Sequence, residues 1–375
     1  MIETIANTSS LAARLRERIS REGPITFCEW MKAALYDSTD GYYCRADRIR
    51  WGREGDYRTS PERSSLFAAT FARYFAGLYE KLDRPAAWTI LEAGAGEGYF
   101  ARGLLETLKK AFPHVFAATS YVIDEVSPQS IGRARERLQP FAEQVKFKRL
   151  DEVEINPGVV FSNELLDAFP VHRITLREGE VKEFYVSIDE SGNFAWLLDA
   201  PSPALLPRLN QYFEEVGERP EPEQVVEVNL ETEEWLRRVA ARMRKGYVIT
   251  VDYGAAAEDL YSPLANREGT LRGFQRHQFV EDLLARPGEH DLTTTVNWSF
   301  VKSAGASVGL QLVELSRQDQ FLLANGFLAQ LEVESLGAKD DSDRLRFSTA
   351  AREMILPDGM GAHFQVLVQQ KRSEQ

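Results

Sequence analysis

A glycine-rich stretch, ILEAGAGEGYF (residues 90–100), has the residue types and spacing to bind a ligand. Gly94, Gly96 and Gly98 stand at every second position, behind an apolar run that contains Glu92. Glycines in the turn between a strand and the following helix let the backbone come close to a nucleotide-like ligand. The stretch therefore predicts a site for such a ligand at the end of a strand.

The spacing of the glycines distinguishes two classes of ligand. The dinucleotide fingerprint is G-x-G-x-x-G, and Tyr99 does not fit that register, which argues against NAD. The E-x-G-x-G-x-G register is instead typical of S-adenosyl-L-methionine (SAM) sites. SAM carries an ammonium and a sulfonium rather than a pyrophosphate, so an acid ahead of the loop suits it. We predict SAM as the cofactor, with Glu92 and the three glycines among its binding residues.

Acidic residues follow the next predicted strands. YVIDEVSP ends a strand with Asp124 and Glu125, and a carboxylate there can accept both ribose hydroxyls. We favour Glu125 over Asp124; the alternative is that either acid caps the helix that begins near Ser127. Asp151 follows the next short strand and is a candidate for the adenine amine or, equally, a solvated turn acid.

The segment FSNELLDAFP ends the fourth predicted strand, where open α/β sheets place substrates. It contains Asn163, Glu164 and Asp167 within five residues. A carboxylate pair suits a guanidinium or an amine, which it can hold by charge-assisted hydrogen bonds. We predict these three residues as catalytic; the alternative is helix capping by Asn163 or Asp167.

Other candidates lie in three further segments. Asp252 ends a buried strand, VITVD, at the same predicted edge, and His277 lies in a loop that could cover the substrate. The segment GDYRTSPE would fold over the cofactor, although its Thr59 and Ser60 equally suit the start of a helix. The predicted cofactor contacts in this segment are Asp56, Thr59 and Ser60.

The elements that must position these residues alternate between strand and helix. WTILEAG, SYVIDEV and VVFSNEL are predicted strands separated by helices, a pattern typical of a parallel sheet with helices on both faces. Residues 9–35 are predicted to be helical. Residues 172–200 alternate apolar and polar positions around two turn signals and predict an inserted β-meander.

The composition excludes several classes of function. The 375 residues are 43% hydrophobic, enough for one large domain with insertions or for two domains. The net charge of −12 argues against nucleic-acid binding and favours cationic substrates. Cys28, Cys44 and five scattered histidines lack metal-ligand spacing, so we predict no metal. We find no signal peptide or membrane span, and so predict a cytoplasmic protein without membrane insertion.

Seven stretches in order resemble the MidA/NDUFAF7-like family of SAM-dependent methyltransferases: GDYRTSPE, LEAGAGEG, EVSP, NELLDAFPVHR, VDYG, TLRGFQRHQF and PGEHDLTTTVNW. The family's mitochondrial members are complex I assembly factors that symmetrically dimethylate an arginine of a core subunit. The resemblance implies an α/β, class I (Rossmann-like) fold with a mostly parallel seven-stranded sheet, an N-terminal helical extension and the meander insertion. It also implies that the substrate is an arginine of a protein, namely of a complex I subunit. NELLDAF is similar to the segment that grips the guanidinium in symmetric arginine methyltransferases, which implies that Glu164 is the substrate clamp.

The same reading divides the chain into four segments. We expect an N-terminal region packed over the cofactor, a SAM-binding core, an insertion, and the rest of the core with a substrate-side loop at 255–297; the segments are 1–85, 86–171, 172–225 and 226–375. The meander and that loop would form either a substrate cleft or a homodimer interface. The alternatives are a methyltransferase of another side chain or a small molecule, a non-catalytic SAM-fold assembly module and, least favoured, an NAD oxidoreductase.

Overall fold

The structure, a computed structural model, describes residues 10–45, 65–262, 266–276, 278–337, 340–356 and 360–373. Four predicted site residues lie outside these ranges, namely Asp56, Thr59, Ser60 and His277. Their assignments therefore stay predictions.

The described strands are numbered in chain order. They are β1 (Ile25–Thr26), β2 (Trp88–Ala93), β3 (Thr119–Asp124), β4 (Val145–Phe147), β5 (Gly158–Asn163), β6 (His172–Arg177), β7 (Glu180–Ile188), β8 (Phe194–Asp199), β9 (Val225–Val228), β10 (Gly246–Ala255), β11 (Arg272–Gln275), β12 (Gln278–Phe279), β13 (Asp291–Thr293), β14 (Val296–Asn297), β15 (Leu310–Arg317) and β16 (Phe364–Lys371).

The described α-helices are numbered in the same way. They are α1 (Leu11–Glu22), α2 (Phe27–Tyr36), α3 (Ser65–Lys81), α4 (Tyr99–Ala111), α5 (Pro113–Ala118), α6 (Pro128–Arg137), α7 (Leu209–Val216), α8 (Leu230–Arg242), α9 (Ala257–Leu260), α10 (Trp298–Ser307), α11 (Gln318–Ala324), α12 (Phe327–Leu336) and α13 (Asp341–Ile355).

The chain forms two compact units, each composed of three segments. The central-sheet unit contains Arg50–Asp167, Thr232–Ala256 and Thr295–Gln375. The meander unit contains Met1–Ile49, Ala168–Glu231 and Ala257–Thr294. The division into four consecutive segments made from the sequence does not correspond to these two units and stays a prediction.

The central-sheet unit is built on a sheet with the strand order β15-β16-β10-β5-β2-β3-β4, and β14 pairs with the end of β10. Neighbouring strands from β4 to β10 are parallel, whereas β16 runs antiparallel to both β10 and β15. The predicted mostly parallel sheet is thus confirmed, with seven strands along this order and β14 as an eighth beside β10. Its register sets Ala93 beside both Asp124 and Ser162, and Asn163 beside Val251, so that the carboxyl ends of four strands meet at one edge.

Apolar residues on one face of this sheet pack against α3 and α4. The rings of Phe100 and Phe161 stack with their centroids 4.0 Å apart, and Phe71 lies edge-on to both. On the opposite face, α10 packs with Gly305 directly against Gln369 of β16. Helices therefore cover both faces, as the alternating pattern predicts, and fix the sheet edge that carries the candidate site.

The meander unit contains the predicted insertion. Strands β6, β7 and β8 pair antiparallel in sequence, and β1 and β9 extend them to a five-stranded sheet. Glu178 and Gly179 both have positive φ in the turn between β6 and β7, which matches the predicted turn signal. A second sheet in this unit has the order β12-β11-β13.

One helical prediction needs correction. Residues 9–35 do not form one helical stretch, because α1 ends at Glu22. Gly23, whose φ is 88°, caps it, and Pro24 follows before β1. Thr26 then caps α2 in a capping box with Glu29. In the segment 172–225, predicted as a β-meander and helical insertion, α7 follows the meander, and its buried residues have helical spacing: Leu209, Tyr212, Phe213 and Val216.

Candidate active site

The glycine loop joins β2 to α4 within the central-sheet unit. Gly94, Gly96 and Gly98 all have positive φ, of 68°, 53° and 76°, a region that residues with a Cβ rarely adopt. A Cβ at Gly94 would lie 2.9 Å from Leu165 Cδ1, and one at Gly98 would crowd α6. The three glycines thus give this loop a backbone path that other residues would not follow.

Glu125 holds the loop from the end of β3. One of its carboxylate oxygens accepts a hydrogen bond from Gly96 N at 2.8 Å, and the other accepts from Val126 N and Ser127 N at the same distance. The side chain is half-buried and lies at the sheet edge beside the loop. Glu125 therefore lies next to the glycine backbone at the end of β3, and its role as the ribose acceptor stays a prediction.

Asp124 and Asp151 have different surroundings. Asp124 is buried, accepts from Leu150 N at 3.0 Å and pairs with Arg149 at 2.8 Å, so it organises the turn after β4. Burial raises the pKa of Asp124 although Arg149 opposes the shift. Asp151 pairs with both Nε and Nη2 of Arg238, which lowers its pKa. Both acids make protein contacts in this structure, and their predicted cofactor contacts stay predictions.

Glu92 is buried below the glycine loop. Its Oε2 accepts a hydrogen bond from Tyr121 Oη at 2.7 Å. Burial raises the pKa of Glu92 to about 8, the tyrosine opposes the shift, and the charge of Glu125 adds to it. A carboxyl group that is costly to ionise in this position would be stabilised as a carboxylate by a nearby cation.

A charged clamp on the loop is absent from the sequence-based list of site residues. Glu97 is buried and pairs with Arg133 and Arg137, one turn apart on α6. Arg137 also donates to the carbonyl of Glu97 and lies over the ring of Tyr99, 3.6 Å from its centroid. The i, i+4 spacing of the two arginines predicts that they lie on one face of a helix, but the sequence does not identify the acid with which they pair.

Asn163 and Glu164 end β5 at the same edge. Asn163 Nδ2 donates to Glu164 Oε1 at 2.9 Å. The backbone of Glu164 has a φ of 52°, unusual for a residue with a long side chain. Asn163 Oδ1 is buried, and no donor to it is found among the described residues.

Asp252 supports the turn that follows Glu164. Its Oδ2 accepts hydrogen bonds from the backbone N–H groups of Leu165, Leu166 and Asp167 at 3.2, 3.0 and 3.4 Å. Its Oδ1 accepts from Tyr253 N at 3.0 Å. The carboxylate is fully buried beneath the turn, and β10 continues past it to Ala255. Asp252 therefore shapes the backbone that presents Glu164 and Asp167.

Three acids are consequently brought together, as the sequence predicts for Glu164, Asp167 and Asp252. The pKa of Asp252 lies well above its usual value because of burial first, and then because of the charges of Asp167 and Glu164. Asp167 is buried and Glu164 half-buried. Close carboxylates in a poorly solvated place favour binding of a cation.

Metal binding has no support in the described part of the chain, where no group of three His, Cys, Asp or Glu side chains could hold an ion. Within the same residues, no helix has both the length and the apolar character to cross a membrane.

Comparison with known proteins identifies a family. The model of a family of S-adenosyl-L-methionine-dependent methyltransferases matches residues 70–316. A Drosophila melanogaster protein named protein arginine methyltransferase NDUFAF7 homolog, mitochondrial, is 26% identical over 385 residues, covering 96% of this chain and 84% of that protein. The human protein arginine methyltransferase NDUFAF7, mitochondrial, is 25% identical over 374 residues, with coverages of 93% and 81%.

A solved structure is similar over nearly the whole chain. It is a Burkholderia thailandensis member of the COG1565 superfamily, bound to S-adenosyl-homocysteine. The TM-score is 0.85 at 29% identity, covering 97% of this chain and 92% of that chain. Together with the family match, it confirms the predicted fold class and SAM as the predicted cofactor.

The residues described above fit this cofactor. The glycine loop leaves backbone uncovered by side chains, Glu125 offers acceptors beside it, and buried Glu92 is suited to a nearby positive charge. These features match a ligand that has ribose hydroxyls and an ammonium group.

Proposed function

The chain belongs to the family of S-adenosyl-L-methionine-dependent methyltransferases, and we propose that within this family it methylates arginine side chains of a protein partner. The proposal rests on the acidic group formed by Glu164, Asp167 and Asp252 at the carboxyl ends of β5 and β10. The printed names of the relatives, which call them protein arginine methyltransferases, agree with it.

The acceptors at this edge favour a guanidinium. Glu164 contributes carboxylate oxygens, and Asn163 Oδ1 is a buried acceptor to which none of the described residues donates. An arginine side chain has five N–H donors in a planar fork and no acceptor, and so complements such a group. A lysine ammonium is also a pure donor, but it lacks the paired donors that a carboxylate binds through both oxygens.

The residues of this chain would act mainly by positioning. When bound, SAM supplies an electrophilic methyl group on a sulfonium centre. Glu164 would hold two N–H groups of the guanidinium and leave one nitrogen free to attack. Asp167 would take up the proton that this nitrogen loses, and Asp252 would hold the turn that carries both acids. Asn163 would orient Glu164 through its 2.9 Å hydrogen bond.

We propose that the residues predicted from the sequence bind the cofactor. Gly94, Gly96 and Gly98 would bring their backbone close to it, Glu125 would accept from the ribose, and Glu92 would face the ammonium group. Asp124 and Asp151 are retained as secondary candidates behind Glu125.

The resemblance to the family adds three details to this proposal. The reaction would be symmetric dimethylation, the target would be a complex I subunit, and the protein could form a homodimer. The predicted cytoplasmic location is not matched by the relatives, which are named mitochondrial.

The activity is tested by incubating the purified protein with methyl-labelled SAM and a set of arginine-containing peptides. We expect label in arginine and none in matched peptides with lysine in its place. The Glu164→Gln variant should bind SAM with unchanged affinity in isothermal titration but lose transfer to arginine. Label in lysine, or transfer that Glu164→Gln leaves intact, would contradict the proposal.

The cofactor residues need a separate titration. We expect saturable SAM binding, no NAD binding, and weaker SAM binding by Glu125→Ala. Unchanged SAM affinity in this variant would remove Glu125 from the cofactor site while leaving the arginine assay unaffected.

A further inference from the structure

A pocket that the methyltransferase site does not use lies between α3 and the connection from α11 to α12, within the central-sheet unit. Its volume is about 380 Å³, and it is open to solvent. Arg73, Gly77 and Lys81 of α3 line one side, and Asn325 and Gly326 line the other. A space of this size accommodates a small organic molecule.

The pocket is remote from the candidate active site, because α3 passes from the carboxyl end of β2 to its amino end. Near the start of α3, Phe67 lies edge-on to Phe100, just after the glycine loop, with ring centroids 6.0 Å apart. Near the end of α3, Tyr79 packs against Trp88, the first residue of β2, with centroids 5.4 Å apart. The pocket is lined by the later half of α3, so a ligand there would leave the cofactor site accessible.

Arg73 and Lys81 supply positive charge that no acid neutralises within the part of the chain that the structure describes. Both side chains are exposed at the pocket. Glu80 precedes Lys81, but its carboxylate pairs with Arg84 and His114 instead. None of the described residues that line the pocket is acidic. Two free cations therefore share one concave surface, on a chain whose net charge is −12.

The first turn of α12 adds to this positive potential. The helix begins after Gly326, whose φ is 90° and which has no side chain to accept hydrogen bonds from the first N–H groups. Arg73 lies directly against this glycine, since a Cβ there would be 2.8 Å from Arg73 Cδ and 3.1 Å from its Nε. A cation at a helix N-terminus is unfavourable, because the helix dipole favours negative charge there. An anion bound at this point would relieve the repulsion and accept from the N–H groups.

The two sides of the pocket are held in place by contacts beneath it. At the end of α11, Asn325 Nδ2 donates to the carbonyl of Phe321 at 2.8 Å. The ring of Phe321 stacks on Phe71 of α3, with centroids 5.2 Å apart. In the first turn of α12, Gln330 N donates to the carbonyl of Gly326 at 3.0 Å. The groups that would contact an anion are therefore positioned before it binds, which lowers the cost of binding.

We propose that this pocket binds the phosphate group of a phosphate monoester. Such a group carries between one and two negative charges at neutral pH and has three acceptor oxygens. Arg73 would donate two parallel N–H groups, Lys81 would act as a point charge, and the first backbone N–H groups of α12 would donate as well. Soluble metabolites and phospholipid headgroups both carry this group, and the titration below separates the two sources.

The test is an isothermal titration of the full-length protein in a buffer free of phosphate and sulfate. The protein is first saturated with S-adenosyl-homocysteine, so that no probe can bind at the cofactor site. Glycerol 3-phosphate is the soluble probe, with glycerol as its uncharged control. Phosphatidylcholine vesicles that contain phosphatidic acid present the same group on a membrane, with pure phosphatidylcholine vesicles as their control. We expect saturable binding of a phosphate-bearing probe and no binding of either control, and the probe that binds more tightly identifies the source.

Two substitutions of cations connect binding to the pocket. Arg73→Gln removes one of the two pocket cations and should weaken binding of the phosphate-bearing probe about tenfold. Lys110→Gln removes the same charge from an exposed position on α4, outside the pocket, and should change the affinity by less than about twofold. The comparison separates a local contact from the effect of net charge.

Gly77→Leu tests the space without changing the charge. Gly77 stands on α3 between Arg73 and Lys81, and a Cβ there meets no atom within 4 Å, so a larger side chain fits the fold but occupies the pocket. We expect this variant to keep the native circular dichroism spectrum and to lose binding of the probe. Absence of binding by both phosphate-bearing probes, or equal affinities of Arg73→Gln and Lys110→Gln, would overturn the proposal. Neither result would affect the proposed methylation of arginine, which does not use this pocket.

Discussion

Asp252 Oδ2 accepts the backbone N–H of Leu166 at 3.0 Å and thereby ties the end of β10 to the turn after β5. The same oxygen accepts from the two neighbouring amides of that turn. A fully buried carboxylate with these bonds acts on the backbone, and a substrate would meet Glu164 and Asp167 instead. The position of the two candidate catalytic acids thus depends on a residue that we do not expect to touch the substrate.

Replacing Asp252 with alanine should therefore separate turn geometry from cofactor binding. Three backbone amides of the turn, two of them on buried residues, lose their acceptor, so we expect the free energy of unfolding to fall by about 2–3 kcal/mol. Arginine methylation should fall at least tenfold in kcat/KM, whereas the dissociation constant for SAM should change less than threefold. Urea unfolding, peptide kinetics and isothermal titration measure the three quantities.

Asp252→Asn is the matched control, because it keeps one oxygen acceptor and removes the buried charge. We expect it to lose less stability than the alanine variant and to keep part of the activity. If Asp252→Ala kept both stability and activity, the turn would not depend on this carboxylate.

The backbone of Glu164 predicts an unusual outcome for Glu164→Gly. Glycine relieves a left-handed conformation that costs about 1 kcal/mol, and this offsets the loss of the side-chain hydrogen bond from Asn163, which is of about the same size. We expect the melting temperature to stay within a few degrees of the native value while arginine methylation is lost. Calorimetry and the peptide assay on the same preparation check this.

Glu178→Gly provides the comparison, since Glu178 has the same φ of 52° in an exposed turn of the meander unit. This variant should gain about 1 kcal/mol and keep full activity. A large loss of stability in Glu164→Gly would contradict the expected compensation at residue 164. A loss of activity in Glu178→Gly would show that the loss in Glu164→Gly is not specific to the candidate site.

Parts of the fold and site were accessible from the sequence because they depend on local patterns. Buried strands appear as apolar runs, the glycine loop requires its own residue type, and Ser127 ahead of Pro128 marks the start of α6. The acids at 92, 125 and 164 could be assigned to the sheet edge because each stands at or next to the end of a strand. Gly23 and Pro24 also indicate the break between α1 and α2. The helical spacing of apolar residues on both sides of them nevertheless led to the prediction of one helical stretch.

The remainder depends on distant partners. Tyr121 reaches Glu92 because the two strands are in register, and Glu97 meets α6 through packing across 36 residues. Side chains of adjacent residues at a strand end point to opposite faces of the sheet, so Asp124 and Glu125 have different neighbours. The sequence does not show which of the two faces the glycine loop. Helices α11 to α13 were not predicted at all, and α12 has several exposed apolar residues that blur its period: Leu328, Val333 and Leu336.

Glu92 predicts a pH dependence of stability. The pKa of its carboxyl is about 8 in the folded protein and 4.5 as the ordinary value, so the folded state holds a proton that the unfolded chain has released between these limits. Stability should therefore fall as pH rises from about 4.5 to 8, by at most about 1.4 kcal/mol per pH unit. Glu92→Gln should remove this part of the slope in urea unfolding at pH 5, 6, 7 and 8.

Tyr121→Phe is the control for Glu92. Loss of the hydrogen bond from the phenol, which opposes the shift, should raise the pKa of Glu92 further and extend the falling stability to higher pH. Identical slopes for native protein and Glu92→Gln would mean that the carboxyl titrates alike in both states.

The clamp between Glu97 and the two arginines of α6 predicts that loop rigidity contributes to cofactor affinity. Glu97→Gln leaves the side chain's shape but removes the charge that pairs with Arg133 and Arg137, so we expect a loss of about 3 kcal/mol of stability. SAM affinity should fall about tenfold, because the loop must then be ordered on binding. Glu106→Gln, which removes an exposed pair with Arg102 on the neighbouring helix, should change stability by less than about 1 kcal/mol and leave SAM affinity intact. Equal effects of the two substitutions on SAM affinity would refute a specific role for the clamp.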